Sequence, residues 1–232
     1  MSDVRIVPLL GIPEIAEGDD LSALLGDAIE EVGGVVAGDV LVVAQKAVSK
    51  AEGRVARVPE ERHVEAVLAE AARVRRRRDD FIVAETRHGF VCASAGVDRS
   101  NTPGDDWVVL LPLDPDASAR SLREALGRRF GVAPAVIVTD SFGRAWRQGT
   151  TDVAIGVAGM EPLVDLRGQP DARGRELQGT VIAVADELAG AAELVMGKAR
   201  RVPAALIRGY DVPAGDGTAR DIVMPPERDL FP

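Results

Sequence analysis

Apolar residues in this chain fall into short unbroken runs separated by longer stretches of helical spacing. The runs Val40-Leu41-Val42-Val43-Ala44, Ala135-Val136-Ile137-Val138, Val153-Ala154-Ile155-Gly156-Val157 and Ala204-Ala205-Leu206-Ile207 lack polar alternation and are too short for helices. They predict strands buried on both faces. A further strand is expected over residues 180–185, another over residues 108–113 ending near Pro112, and a strand pair at residues 81–83 and 90–93 around His88-Gly89. Leu21, Leu24, Leu25, Ala28, Ile29 and Val32 mark one helical face, with Asp20 as N-cap and Gly33-Gly34 as the stop. A second helix is expected over residues 60–78, placing Arg75-Arg76-Arg77-Arg78 in a last turn where cations suit the helix dipole. A third carries Leu122, Leu126 and Phe130 behind a Ser121/Glu124 capping box and stops at Gly131. A fourth, capped by Asp186, carries Leu188, Ala191, Ala192, Val195 and Met196 and stops at Gly197-Lys198. Residues 45–54 read as the exposed end of the strand before them. No repeat or flexible linker interrupts this order, so residues 1–232 are expected to form a single catalytic unit, with two lobes at most.

One polar stretch breaks the pattern. Between the apolar runs 135–138 and 153–157 lie Asp140, Ser141, Arg144, Trp146, Arg147, Thr150, Thr151 and Asp152. It reads as a loop between two buried strands, and polar groups this dense beside a core need a ligand, ion or partner to satisfy them. A second acidic loop carries Asp98 and Asn101, and a Gly/Arg/Asp-rich segment from Gly168 to Glu176 reads as a long functional loop.

Composition narrows the chemistry. The net charge of −9 argues against a nucleic-acid surface, and the run at residues 75–78 is the one local exception. A single cysteine, Cys92, excludes an intrachain disulfide framework and fits a reducing compartment; it reads as a buried, inert thiol. No run approaches membrane-spanning length and no signal segment is visible, so a cytoplasmic protein with no membrane partner is expected. The two histidines, His63 and His88, lack metal-ligand spacing and no nucleophile elbow accompanies them. The acidic loops hold only oxygen donors, which suit magnesium or manganese, and Lys46, Lys50, Arg144 and Arg147 supply cations. Metal and cations around a phosphate is the arrangement of phosphoryl transfer. Neither the Walker-type nor the Gly-x-Gly-x-x-Gly nucleotide fingerprint is present.

Particular motifs go further. Gly11-Ile12-Pro13-Glu14 with Gly18-Asp19-Asp20, Gln45-Lys46 with Ser49-Lys50-Ala51-Glu52-Gly53-Arg54, and Ala95-Gly96-Val97-Asp98 with Ser100-Asn101 resemble the coenzyme F420-0:gamma-glutamyl ligase family. So do the polar stretch at 139–152 and Ala185-Asp186-Glu187-Leu188 followed by Met196-Gly197-Lys198. The resemblance implies an unusual α+β fold of mixed sheets with flanking helices, forming an intertwined homodimer. It implies a GTP-dependent ligase that adds L-glutamate to the deazaflavin precursor of coenzyme F420 through an acyl phosphate, with some members extending a γ-linked polyglutamate tail. Two divalent ions, Mg2+ or Mn2+, and stimulation by K+ are implied with it.

Carried over by motif, Asp98, Asp140 and Ser141 are expected to hold metal. Ile12, Pro13, Glu14, Ile15, Gln45, Lys50 and Asn101 are expected to contact GTP, with Met196, Gly197 and Lys198 completing the pocket. Ser141 stands where threonine is common and keeps the hydroxyl. Lys198 stands where archaeal members tend to have glutamine near a metal; a protonated lysine cannot ligate, so it is expected to meet phosphate. Arg144 and Arg147 are assigned to anionic substrate or to the transferring phosphoryl group. Two alternatives stand beside this reading. One is a module that binds GTP or the F420 precursor without chemistry; the other is the separate ligase half of a ligase/reductase pair, since no flavin-binding reductase segment follows Pro225-Pro226 in the chain.

Overall fold

A computed structural model describes residues 3–230. The chain opens with β1 (Arg5–Pro8), α1 (Leu21–Glu31), β2 (Val40–Ala44) and α2 (Gln45–Ala51). There follow β3 (Val55–Arg57), α3 (His63–Glu70), β4 (Ala71–Arg78), β5 (Phe81–Thr86), β6 (Val91–Ala93) and β7 (Trp107–Val109). Next come α4 (Pro115–Phe130), the long strands β8 (Ala135–Arg144) and β9 (Arg147–Ala158), and the short β10 (Val164–Asp165) and β11 (Val181–Ile182). The chain closes with α5 (Val184–Met196) and β12 (Ala204–Arg208). Among the described residues the central sheet runs β1-β12-β2-β8-β9, and β4-β5-β6, β3-β7 and β10-β11 form smaller sheets. The architecture is α+β with mixed sheets: β2 and β8 are parallel, and the other neighbours in the central sheet are antiparallel.

The unbroken apolar runs are the interior of this sheet. Val40, Leu41, Val42 and Val43 on β2 and Val136, Ile137 and Val138 on β8 are all 0% exposed, as expected of strands covered on both faces. Helix α4 packs on β8 and β9 through Ala119, Leu122 and Leu126; α5 packs on β9, β12 and β1 through Leu188, Ala189 and Ala192. The α4 contact is close enough to need a glycine. A Cβ on Gly156 would lie 2.3 Å from the Pro115 carbonyl oxygen. Two buried carboxylates fasten these layers. Asp39 takes both Nε (2.9 Å) and Nη2 (2.7 Å) of Arg208 together with the Val36 N–H, and Asp116 accepts the N–H groups of Val157 and Ala219. A second, smaller core of Val67, Ile82, Ala84, Ala95, Val97 and Val108 lies under α3 and the smaller sheets. Among the described residues no helix is long and apolar enough to cross a membrane.

Several expected elements differ. Residues 45–51 form a helix rather than a strand end. Nothing caps it with a side chain, but Ala47 and Val48 turn onto the core. The expected helix over 60–78 stops at Glu70, and residues 71–78 pair with β5 as an edge strand. Only Val67 of that helix is fully buried, so the apolar stripe is too short to carry it on, and Arg75 instead pairs with Glu85 and Asp229. The third helix starts earlier, with Asp114 accepting from the Ala117 N–H and Pro115 in the first turn; Ser121 and Glu124 lie inside it. Asp186 lies within the first turn of α5 and accepts the N–H of Ala154 instead of capping. The strands expected over 108–113 and 180–185 shrink to β7 and β11. Most consequential, the polar stretch at 139–152 is no loop: β8 and β9 pair through it as far as Arg144 and Arg147. The sequence of residues 225–231 also reads as an extended tail whose apolar end docks on a partner surface; Phe231 lies outside the described residues.

Candidate functional site

Strands β2 and β8 run parallel, and their pairing ends where Ala44 meets Thr139, while β8 itself runs on to Arg144. Open sheets bind ligands at the carboxyl ends of such strands. The residues that follow meet there: Gln45 and Lys46 at the start of α2, Asp140 and Ser141 on β8. Asp98 is delivered from the smaller core by a two-bond bridge to Val109, its N–H to the Val109 carbonyl at 3.0 Å and the reverse at 2.8 Å. Lys46 then binds it, Nζ to Oδ2 at 2.7 Å.

The two aspartates differ in charge balance. Burial pushes the Asp98 carboxyl up, but the Lys46 ammonium and the Ser100 N–H, 2.6 Å from Oδ1, more than offset it and hold the carboxyl below its ordinary value. Asp140 is deeper. Burial pushes it up to about 6; Lys46 and the Ser141 N–H oppose the rise, while Asp98 and Asp152 add like charge. Its field also reaches Cys92 on β6, whose thiol burial has already raised to about 12. One lysine thus serves two carboxylates, and the deeper is left undercompensated.

The donor set fits a hard divalent cation. Asp98 and Asp140 present only oxygen, both lie in the field of Lys46, and among the described residues the half-buried Asp140 makes no ion pair of its own. Among the described residues no three His, Cys, Asp or Glu side chains converge on one point. Two carboxylates alone would leave most of the shell of such an ion to phosphate and water.

The residues expected around the nucleotide flank this point. Glu14, in the loop after β1, pairs with Lys50 of α2, whose side chain is 9% exposed. Ile15 is buried and Ile12 packs against the main core. Gln45 is 1% exposed; its Oε1 accepts from Ser49, 2.9 Å away, and its Nε2 is buried without a protein partner. Such an amide hydrogen awaits an acceptor. Asn101, in a left-handed conformation at φ 56°, reaches the Lys198 carbonyl at 3.4 Å. That contact joins the Asp98 loop to the turn where Met196 ends α5 and Gly197 caps it. Pro13 lies in the same loop as Glu14.

Ser141 is brought to different company. It pairs in register with Asp152 and donates to Asp152 Oδ1 at 2.5 Å. Sequence reading gave Asp152 no part in the site; the pairing becomes visible once residues 139–152 are laid out as a hairpin. Arg144 and Arg147 are not gathered in. They pair with each other beside the exposed tip at Trp146, and the Arg144 side chain reaches the Gln148 carbonyl at 3.4 Å. Arg144 lies four residue steps along the strand from Asp140, about 13 Å.

The model of the F420-0:Gamma-glutamyl ligase family matches residues 10–209. The chain belongs to that family. Every site residue described above lies inside the matched span. Coenzyme F420:L-glutamate ligase of Methanothermobacter thermautotrophicus is 44% identical over 98% of both chains. The protein of that name in Methanopyrus kandleri is 42% identical over 98% of this chain and 97% of its own, and that of Methanocaldococcus jannaschii 40% over 84% of each. As the motifs implied, this family member is an enzyme of the ligase class.

Proposed function

We propose that the protein joins L-glutamate to the coenzyme F420 precursor F420-0 in a GTP-dependent reaction. The observation that carries this reading is the meeting of Asp98, Asp140 and Lys46 where the parallel pairing of β2 and β8 ends, in a chain of this family. The terminal carboxylate of the precursor attacks the γ-phosphorus of GTP; the bond to the bridging oxygen breaks, giving GDP and an acyl phosphate. The glutamate amine then attacks the acyl carbon, phosphate leaves with the electron pair of its C–O bond, and the nitrogen loses a proton to give the amide. Repeating these steps on the new γ-carboxylate extends the tail.

In this reading Asp98, Asp140 and Ser141 hold two divalent ions, Mg2+ or Mn2+, with K+ as a further activator. When bound, such ions neutralise charge on the phosphate oxygens. The chain's own groups do the rest. Lys46 and Lys50 contribute fixed positive charge toward the triphosphate once their carboxylate partners are otherwise engaged. The free Gln45 amide and Asn101 orient the nucleotide, and the turn at Met196, Gly197 and Lys198 closes over it. Arg144 and Arg147 hold substrate anions from the hairpin tip, which a homodimer would bring to a neighbouring site.

The test is incubation of the purified chain with F420-0, GTP, Mn2+ and glutamate, followed by mass spectrometry. The product mass rises by whole glutamyl residues, in step with GDP release. GTP loss with no such increment overturns the assignment, and binding of precursor and GTP without turnover identifies a binding module.

A further inference from the structure

Ser141 has one hydroxyl hydrogen, and its destination is unambiguous. Asp152, 5% exposed, is an acceptor, and its Oδ1 lies 2.5 Å from Ser141 Oγ. Its Oδ2 lies 3.2 Å from Thr139 Oγ1, whose one hydrogen is shared between that oxygen and the Val153 carbonyl at 3.0 Å. The pairing is built by the hairpin register, since Ser141 and Asp152 are directly opposed across β8 and β9. With its hydrogen committed inward, Ser141 has no donor left for a phosphate or substrate. Its remaining lone pairs point away from Asp152, and it can act only as an electron-pair donor.

We propose that Asp152 is a positioning residue that converts Ser141 from a hydrogen-bond donor into a cation-binding oxygen. The inference rests on the reading that Ser141 holds a divalent ion, and adds the residue that makes it able to. Carboxylates that orient a ligand in this way typically change metal affinity about 10- to 100-fold when removed. Asparagine at 152 still offers an amide oxygen to the Ser141 hydroxyl, so it preserves the arrangement where alanine abolishes it.

The experiment is Mn2+ titration of the full chain, following free Mn2+ by electron paramagnetic resonance, in Ser141→Ala, Asp152→Ala, Asp152→Asn and the Ser141→Ala/Asp152→Ala double variant. Metal-free thermal unfolding of each confirms the fold. Asp152→Leu, close in shape to the carboxylate, replaces alanine if the alanine variant does not fold. The expected result is a weakening of one Mn2+ site by about tenfold in Ser141→Ala and in Asp152→Ala. The double variant is no weaker than either, and Asp152→Asn retains most of the affinity. Loss in Ser141→Ala with none in Asp152→Ala overturns the inference and leaves the function of Ser141 standing. Additive losses in the double variant also overturn it, because Asp152 then acts independently of Ser141. No change in Ser141→Ala removes Ser141 from the metal site, and the inference falls with it.

Discussion

Replacing Asp140 by asparagine keeps the shape of the side chain and removes its charge, and the two consequences have opposite signs. In the metal-free protein burial lifts this carboxyl from 3.8 to about 6. A carboxyl with a folded pKa above its unfolded one is a burden wherever it is ionised, so its cost grows as pH rises from 3.8 and levels off above about 6. At about 1.4 kcal/mol per tenfold change, that gap amounts to about 3 kcal/mol at pH 7.5 and roughly half of it at pH 5. With chelator at pH 7.5, Asp140→Asn should therefore unfold later than wild type, by about 6–12 °C for a chain of this size. Saturating Mn2+ largely cancels this advantage. At a hundredfold excess over its dissociation constant, a ligand of the folded state adds about 2.7 kcal/mol to wild type, and the variant, lacking the carboxylate, forgoes most of it. Ligase turnover falls on the order of 10²–10³-fold. Differential scanning calorimetry at pH 5 and 7.5, with EDTA and with Mn2+, reads all four stability values. The reasoning is refuted if the variant has no advantage in EDTA at pH 7.5, or if Mn2+ stabilises both proteins equally.

Three further outcomes follow from the same geometry. Lys46→Met removes the cation 2.7 Å from Asp98. The Asp98 carboxyl is held below its ordinary value, so the stability it contributes is present at neutral pH and lost in acid. The metal-free variant should lose about 2 kcal/mol in urea unfolding at pH 7, and Mn2+ should restore most of it. Asp39→Ala strands the Arg208 guanidinium over a site where the Asp39 side chain was 0% exposed; a loss of about 3–5 kcal/mol, read from the urea midpoint, is expected. Cys92, buried with its thiol raised to about 12, should resist Ellman's reagent at pH 8 in the folded protein and react fully in guanidinium. Rapid labelling of the folded protein would contradict its placement.

The elements legible in the sequence are those whose burial is one-sided or complete. Residues 40–44 and 204–207 read as strands because water touches neither face, and α1 reads as a helix because one stripe is apolar and Asp20 closes its first turn. Where burial is partial the pattern misleads. α2 starts at Gln45 behind Ala44, which has no capping side chain, and β4 places five arginines on an edge where sequence spacing alone resembles a helix end. The hairpin at 139–152 shows no alternation because much of it projects beyond the core, so its strands look like loop.

By itself the sequence determined the chemistry available: acidic oxygen donors at Asp98, Asp140 and Ser141, cations at Lys46 and Lys50, and the family whose motifs they form. Only the tertiary structure decided which of these groups act together. Asp98 and Asp140 share the field of Lys46 because a bridge to Val109 sets Asp98 beside that lysine, and Ser141 meets Asp152 because the hairpin register opposes them. Side-chain chemistry is written residue by residue. Distance, dielectric and the direction of a hydroxyl hydrogen are properties of neighbours far apart in the chain, and they exist only once the strands are paired and water is excluded.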